Sequence, residues 1–545
     1  MPEGASLTVA MWVGAAAPLL LLVGSMLGLQ WGGARAGPLG CGGALLIGFL
    51  VFKADLTVLG VAMYKGLFLS LYVLYIIWPA LLLYHIVDAS GAIHSIGISI
   101  ARLTRDHIMQ LLILGFAFSS FLQGVAGFGV PVAVVAPLLV GLGFPPVQAT
   151  AVPLIGHAWA VTMGDLASSF QALVVVTELP ERTMGLWVAL FLGLACVATG
   201  FCIAHLHAGL RPIRRSFGAI LAIGLSMGLT QFLLAYWEHW ILASFTAGMA
   251  GLGCSMLIAR LATPGRQRPF WGLLPIWPSQ RQGPLDHGLE VMGIDPQTLG
   301  PPPMSFHVAF GAYYVLIGVV LAATLIPGVH DLLRVPHVIV TFPATATGVG
   351  WQVAASEYRI IPFAHPGGLL LYTALAACGV YSLAGHWTPG TLRTVWGRTW
   401  DAAVPTTIGV ISMVVMALLM VYAGMTTILA RGVTALAGWV FPLLSPAIGL
   451  LGCFVTGSNT NANVLFGAFQ RDSALFLGLN PMVVAALQST GASLGSMAAP
   501  AKVLVACATV GLAGREGEVI GLTLRYCLPL VSAMGILGWI ILRLS

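Results

Sequence analysis

Two short stretches hold most of the polar chemistry of an otherwise apolar chain. The first is Gln123, Gly124, Gly127 and Gly129, followed by Pro131, inside a run from Ile108 to Gly164 that has no Asp, Glu, Lys or Arg. Glycine lets a backbone turn or approach a ligand closely and Pro131 lacks an amide donor, so this run cannot be one regular helix. The second is Thr456–Gly457–Ser458–Asn459–Thr460–Asn461–Ala462–Asn463, densely polar between apolar flanks. Hydroxyls and amides there can replace the hydration of a small carboxylate or cation, and the N-termini of half-helices add positive dipole toward an anion. Such side chains also join helices to one another, but in that role they come singly. Gln123, Gly124, Gly127, Gly129, Gly457, Ser458, Asn459, Thr460 and Asn463 are therefore the candidate ligand-binding residues.

Few ionisable groups lie in apolar surroundings: Asp165, Lys502 and His157. A charge at membrane depth is costly unless paired or hydrated and by default marks a pathway, the competing role being a helix end near water. Asp165 or His157 is expected to carry a coupling proton and Lys502 to attract an anion. His205 and His207 lie beside Arg211 with no further ligand at metal spacing, so no metal site and no cofactor is expected. Lys53, Asp55, Lys65, His85 and Asp88 read as interfacial groups. Trp237, Trp240, Trp271 and Trp277 read as an aromatic belt.

The elements that position these groups follow from composition. Of 545 residues, 58% are hydrophobic and 7% charged, and mean hydropathy is +0.96, whereas soluble domains carry about a quarter charged residues. That excludes a soluble enzyme. Apolar runs of bilayer length recur from end to end, which predicts an all-α polytopic membrane protein with about a dozen transmembrane helices and re-entrant pieces. The 67 Gly and 32 Pro exceed what uniform spans need and hint at a lined cavity. The net charge of +6 is spread over single residues, so no nucleic-acid partner is expected. The eight cysteines lie singly without CxxC spacing and read as small buried residues. The run from Leu7 to Leu29 is too long for a signal-peptide core and is expected as a retained first span. Arg211, Arg214 and Arg215 in one loop and Arg260, Arg266, Arg268 and Arg281 in another are expected on the cytoplasmic side, with the acidic Glu178–Glu181 loop outside. A Pro-broken apolar stretch near Val335–Ala355 leaves the crossing pattern of residues 335–400 open.

The two halves resemble each other. "LLILGFAFSSFLQGVAGFG" leads through "GLGFPPVQATAVPLIGHAWAVTMGD", and "LSPAIGLLGCFVTGSNTNANVLFG" leads through "FLGLNPMVVAALQSTGASLGSMAAP". Pro146 matches Pro481, Ala151 matches Ala486 and Gly156 matches Gly491, while Asp165 corresponds to Pro500, so symmetry predicts Asp165 close to Lys502. Interrupted apolar segments at corresponding places in two repeats are the sequence sign of a secondary transporter with its site between them. The expected organisation is N-terminal spans over 1–65, a first repeat over 66–262, a polar linker over 263–304, intermediate spans over 305–401 and a second repeat over 402–545.

"FLQGVAGFGVPVAVVAPLLVGLGF", "FVTGSNTNANVLFGAFQ" and "STGASLGSMAAPAKVLVACATVGLAGREGE" resemble the lactate permease family over nearly the whole chain, with similar Trp78–Pro79 and Pro405 helices. The resemblance implies a carrier of lactate, glycolate and related 2-hydroxymonocarboxylates with protons, in a prokaryotic cytoplasmic (inner) membrane. It also implies inverted repeats, each with a re-entrant hairpin and an unwound helix, of the kind in which motifs like Ser458–Asn459–Thr460 bind a substrate carboxylate or a coupling sodium. The chain departs from the family pattern at Gln123 and Asn459, where relatives typically have acidic residues, and at Ser496, where they typically have Lys. These swaps raise the sodium-coupled alternative and leave Asp165, His157 and Lys502 as coupling candidates. No Walker-type phosphate loop and no metalloprotease or nucleophile motif occurs, so ATP-driven transport and a membrane enzyme are not expected. A passive anion channel is the remaining alternative. The expected partners are a small carboxylate, a coupling ion and lipid; nothing in the sequence specifies an oligomeric state.

Overall fold

In a bilayer a chain satisfies its backbone through helices or a closed barrel, and apolar runs of about 20 residues suit helices. The computed structural model describes residues 9–29, 31–101, 104, 106–125, 127, 129–262, 304–512 and 515–544; the expected linker over 263–304 falls, apart from its last residue, outside the described residues. Among the described residues, twelve helical stretches are long and apolar enough to cross a membrane. The fold is all-α and multi-pass.

Helices α1 (Val9–Gly28) and α2 (Gly33–Leu50) precede α3 (Leu56–Ala89), which Asp55 caps by accepting from the Val58 N–H at 2.8 Å. Next come α4 (Ala92–Ala101), α5 (His107–Val125), α6 (Val130–Gly141), α7 (Pro146–His157), α8 (Ser168–Thr177), α9 (Glu181–Ala208), α10 (Leu210–Tyr236) and α11 (Trp240–Ala262). After residue 303 the chain forms α12 (Gly311–Leu325), the short α13 (Pro327–Arg334), a strand region, α14 (Pro366–Leu383), α15 (Thr391–Ala423) and α16 (Met425–Ala437). It ends with α17 (Phe441–Thr456), α18 (Asn459–Phe476), α19 (Pro481–Gly495), α20 (Pro500–Thr509) and α21 (Glu516–Leu544).

One order of elements occurs twice. In each half a helix breaks at glycine, a second helix follows, a third starts on proline and breaks after a tight turn, and a short half-helix leads to a long span: α5 to α9, then α17 to α21. Corresponding glycines make the same kind of contact. Gly156 of α7 lies against the Gly115 carbonyl of α5, and Gly491 of α19 against the Pro446 carbonyl of α17, so close that neither place has room for a Cβ.

The longest helices, α3 and α15, run antiparallel. Gly66 abuts the Val415 backbone, Trp78 Nε1 donates to Thr407 Oγ1 at 2.9 Å, and Arg398 pairs with Asp88 at 3.2 Å. Their 34 and 33 residues give lengths of about 50 Å at 1.5 Å per residue, against a hydrocarbon core of about 30 Å. Each is longer than an upright crossing needs.

The strand region packs on these two helices. The apolar stretch near Val335–Ala355 does not cross as a helix. Strand β1 (Val338–Phe342) pairs antiparallel with β4 (Ser356–Ile360), and β2 (Thr345–Ala346) with β3 (Gln352–Val353), forming a ribbon. Phe342 packs on Tyr64 and Phe68, and Tyr358 on Phe68 and Tyr72. Trp351 Nε1 donates to the Val421 carbonyl at 3.0 Å. The ribbon thus lies on the start of α3 and the end of α15. Lys65 is correspondingly not an interfacial group but a buried one, 2% exposed.

Candidate functional site

The first polar break follows eight residues of π-helix, Leu111–Phe118, within α5. The wider winding is of a kind that recurs at functional sites, and here it leads into Gln123, which is fully buried. Gly127 donates its N–H to Asp165 Oδ1, and Gly129, with φ +87°, turns the chain into α6. A Cβ on Gly127 would stand 2.8 Å from both Asp165 Oδ1 and Gln123 Nε2. Glycine is required because the Asp165 carboxyl occupies that space. Gly124 is equally close to the Phe245 backbone of α11, a packing contact.

Asp165 owes its place to an unusual turn. After α7 and one 3₁₀ turn, Asp165, Leu166 and Ala167 take φ of +47°, +55° and +65° in succession before α8 begins. Left-handed backbone costs a residue with a side chain about 1–3 kcal/mol, and such strain persists where surrounding structure enforces it, often at working sites.

The second break meets the same turn from the other half. Gly457, with φ +69°, closes α17, and Ser458 caps α18. Asn459 Nδ2 donates to Thr162 Oγ1 at 2.9 Å, Thr460 and Ser169 share a hydrogen bond of 2.8 Å, and Asn463 Nδ2 reaches the Ser169 carbonyl at 2.9 Å and Ser489 Oγ at 3.0 Å. Thr162 also bonds Ser489 through its hydroxyl at 3.1 Å, and its N–H donates to Ser493 Oγ at 3.2 Å. Both breaks therefore converge on residues 162–169.

The third contributor is α20. A Cβ on Gly457 would stand 2.9 Å from the Cβ of Ala501, and one on Gly129 would stand 3.5 Å from the nearest Val505 carbon, so α20 lies between the two breaks. Lys502, buried on this half-helix, is within electrostatic range of Asp165, His157 and Cys453 without an ion pair to Asp165 among the described residues. The proximity of Asp165 and Lys502 expected from repeat symmetry is present. His157 donates Nδ1–H to the Pro153 carbonyl at 2.5 Å, leaving Nε2 buried and without a partner among the described residues.

Several buried polar atoms here have no hydrogen-bond partner among the described residues: both amide atoms of Gln123, Oδ1 of Asn459, Oδ1 of Asn463 and Oγ of Ser496. An unsatisfied buried polar group costs about 1–3 kcal/mol, and each in a folded protein calls for an explanation, such as a ligand or ion. Nearly all the sequence-selected residues are thus brought to one centre. Those missed are Thr162, Ser169, Ser489 and Ser493, which bond the two halves together. Ser489 and Ser493 stand four residues apart, the spacing that puts two hydroxyls on one helix face.

The family described as L-lactate permease matches residues 12–270 and 337–545. The chain is 28% identical over 512 residues to the L-lactate permease of Escherichia coli (strain K12) and 26% identical over 521 residues to the glycolate permease GlcA of the same organism, covering 91% of this chain and 89% of that one in each case. It is 27% identical over 536 residues to the L-lactate permease of Bacillus subtilis (strain 168), covering 93% and 92%. Over 91% of this chain and 86% of that one, the fold overlaps the YdaH transporter of Alcanivorax borkumensis with a TM-score of 0.43 and 15% identity. With the family match spanning both halves, the chain belongs to the L-lactate permease family and is a membrane transporter, not an enzyme.

Proposed function

We propose that the protein is a secondary carrier that moves small 2-hydroxymonocarboxylates, of the lactate and glycolate kind, together with protons across the cytoplasmic membrane. The observation that carries this is the convergence of both polar breaks on residues 162–169 beside a buried ammonium, Lys502. The ligand set is Gln123, Gly124, Gly127, Gly129, Gly457, Ser458, Asn459, Thr460 and Asn463. A substrate carboxylate is drawn by Lys502 and by the positive N-terminal ends of α8 and α20. The 2-hydroxyl donates to the free Oδ1 of Asn459 or Asn463, and Gln123 Nε2 donates to the substrate, which satisfies atoms otherwise left bare. Asp165 carries the coupling proton: neutralised, it lets the anion cross without added charge at membrane depth. The halves over 66–262 and 402–545 act as inverted repeats that rock about this centre, giving alternating access.

A sodium-coupled carrier is the second reading. It is favoured by Gln123 Oε1, Asn459 Oδ1 and Asn463 Oδ1, neutral oxygens with no donor among the described residues. Uptake of radiolabelled lactate and glycolate into proteoliposomes, with imposed pH or sodium gradients, separates the two. Accumulation driven by an inward proton gradient alone is expected; accumulation only with sodium would overturn proton coupling, and no concentrative uptake under either gradient would leave a passive pore.

A further inference from the structure

Half-helix α8 presents Asp165 at its start, but its far end is held by two cations from other elements. Arg471 of α18 donates to the Thr177 carbonyl at 3.0 Å, the last of the helix. Lys65 of α3 pairs with Glu178, the residue that closes α8 in left-handed backbone, at 2.6 Å. The Lys65 ammonium also donates to Ser356 Oγ of β4 at 3.0 Å and stands 5.6 Å and 5.7 Å from the ring centroids of Phe342 and Tyr422. A single buried cation thus ties together α3, the ribbon, the end of α15 and the end of α8.

An ammonium out of water needs a compensating partner, and Lys65 has one in Glu178. Cations at a helix C-terminus complement its dipole and its free carbonyls. Lys65 and Arg471 do this for a helix only ten residues long, so a displacement of one end is transmitted to the other. We propose that Lys65 is a positioning residue for transport: through Glu178 it fixes the end of α8 remote from Asp165, and through Ser356 it locks the ribbon over that end, closing the pathway on the ribbon side. Release of the pair frees α8 and opens that side.

The proposal rests on the transport reading through α8, and its test separates the two. In a cysteine-free background, Ser169→Cys serves as a reporter on α8 for a membrane-impermeant thiol reagent added to either face of sealed vesicles, and uptake is measured in the matching chains without the reporter. Lys65→Met and Glu178→Gln are expected to raise labelling from one face by about tenfold and to lower maximal uptake by about tenfold. Lys65→Arg keeps the cation opposite Glu178 and is expected to recover part of both readouts lost in Lys65→Met. The exchange Lys65→Glu with Glu178→Lys recovers at least about half of both readouts. Should Lys65→Met fail to reach the membrane, Glu178→Gln carries the test, because that carboxylate is half exposed. Single variants that label and transport like the parent would overturn the positioning role, as would equal losses in the arginine and exchanged chains. A parent that transports no carboxylate would instead overturn the transport reading.

Discussion

Asp165 combines three features: its carboxylate accepts the Gly127 N–H, it lies within electrostatic range of Lys502, and it sits in left-handed backbone. Asparagine keeps an oxygen for Gly127 but cannot carry a proton. In Asp165→Asn, exchange of internal for external substrate is expected to stay within about twofold of the parent while uptake driven by a pH gradient falls at least about tenfold; undiminished gradient-driven uptake would remove the coupling role. Gly127→Ala tests the geometry separately. Its methyl would stand 2.8 Å from Asp165 Oδ1 and Gln123 Nε2, and displacing such groups by about 1 Å can cost up to about a hundredfold in rate. The expected outcome is a strong loss of transport in a chain that still reaches the membrane in normal amount, measured by uptake per mole of protein. Gln123, Asn459 and Asp165 were legible in the sequence because polar groups and glycine clusters stand out against apolar flanks. Thr162 and Ser489 were not, since single hydroxyl residues in apolar helices look alike whether they bond their own backbone or another helix.

At the scale of elements, the doubled order of broken helices depends on close backbone approach. Gly491→Val would drive a side chain into the Pro446 carbonyl, and Gly156→Val into that of Gly115. Overpacking typically costs about 1–3 kcal/mol, so thermal unfolding in detergent should shift down by several degrees for either. Gly253→Ala, where a Cβ meets nothing within 4 Å, serves as the control and should leave the midpoint unchanged or raise it slightly. The doubled element order was readable from Pro146, Pro481, Gly156 and Gly491 because proline helix starts and packing glycines are fixed by backbone geometry, not by side-chain chemistry. The ribbon was not readable. Val338–Phe342 is as apolar as a short piece of membrane helix, and a run of that kind does not distinguish strand from helix; Pro336 and Pro343 beside it were the available signal. Lys65 was misread for a related reason, because the protein that buries it comes from distant parts of the chain.

For the molecule as a whole, the joint between the ribbon and α14 rests on α3. His365 caps α14 by accepting the Gly367 N–H on Nδ1 at 3.1 Å, with its ring against Tyr72 and Tyr75. His365→Ala removes both the cap and the ring contacts and is expected to cost about 1–2 kcal/mol, whereas His365→Asn keeps a capping oxygen and should lose less, read as the order of unfolding midpoints in detergent; equal midpoints for the two variants would remove the capping role.

The left-handed turn at Asp165–Ala167 has a metric consequence. Backbone coiled at helical dihedrals advances about 1.5 Å per residue and extended backbone about 3.3 Å, so three coiled residues hold about 5 Å of slack. That is close to the 5.4 Å pitch of a helix, the size of step by which one packed helix ratchets past another. Uncoiling this turn would supply, on the Asp165 side, the chain length that a slip of α8 by one full turn along its neighbours requires.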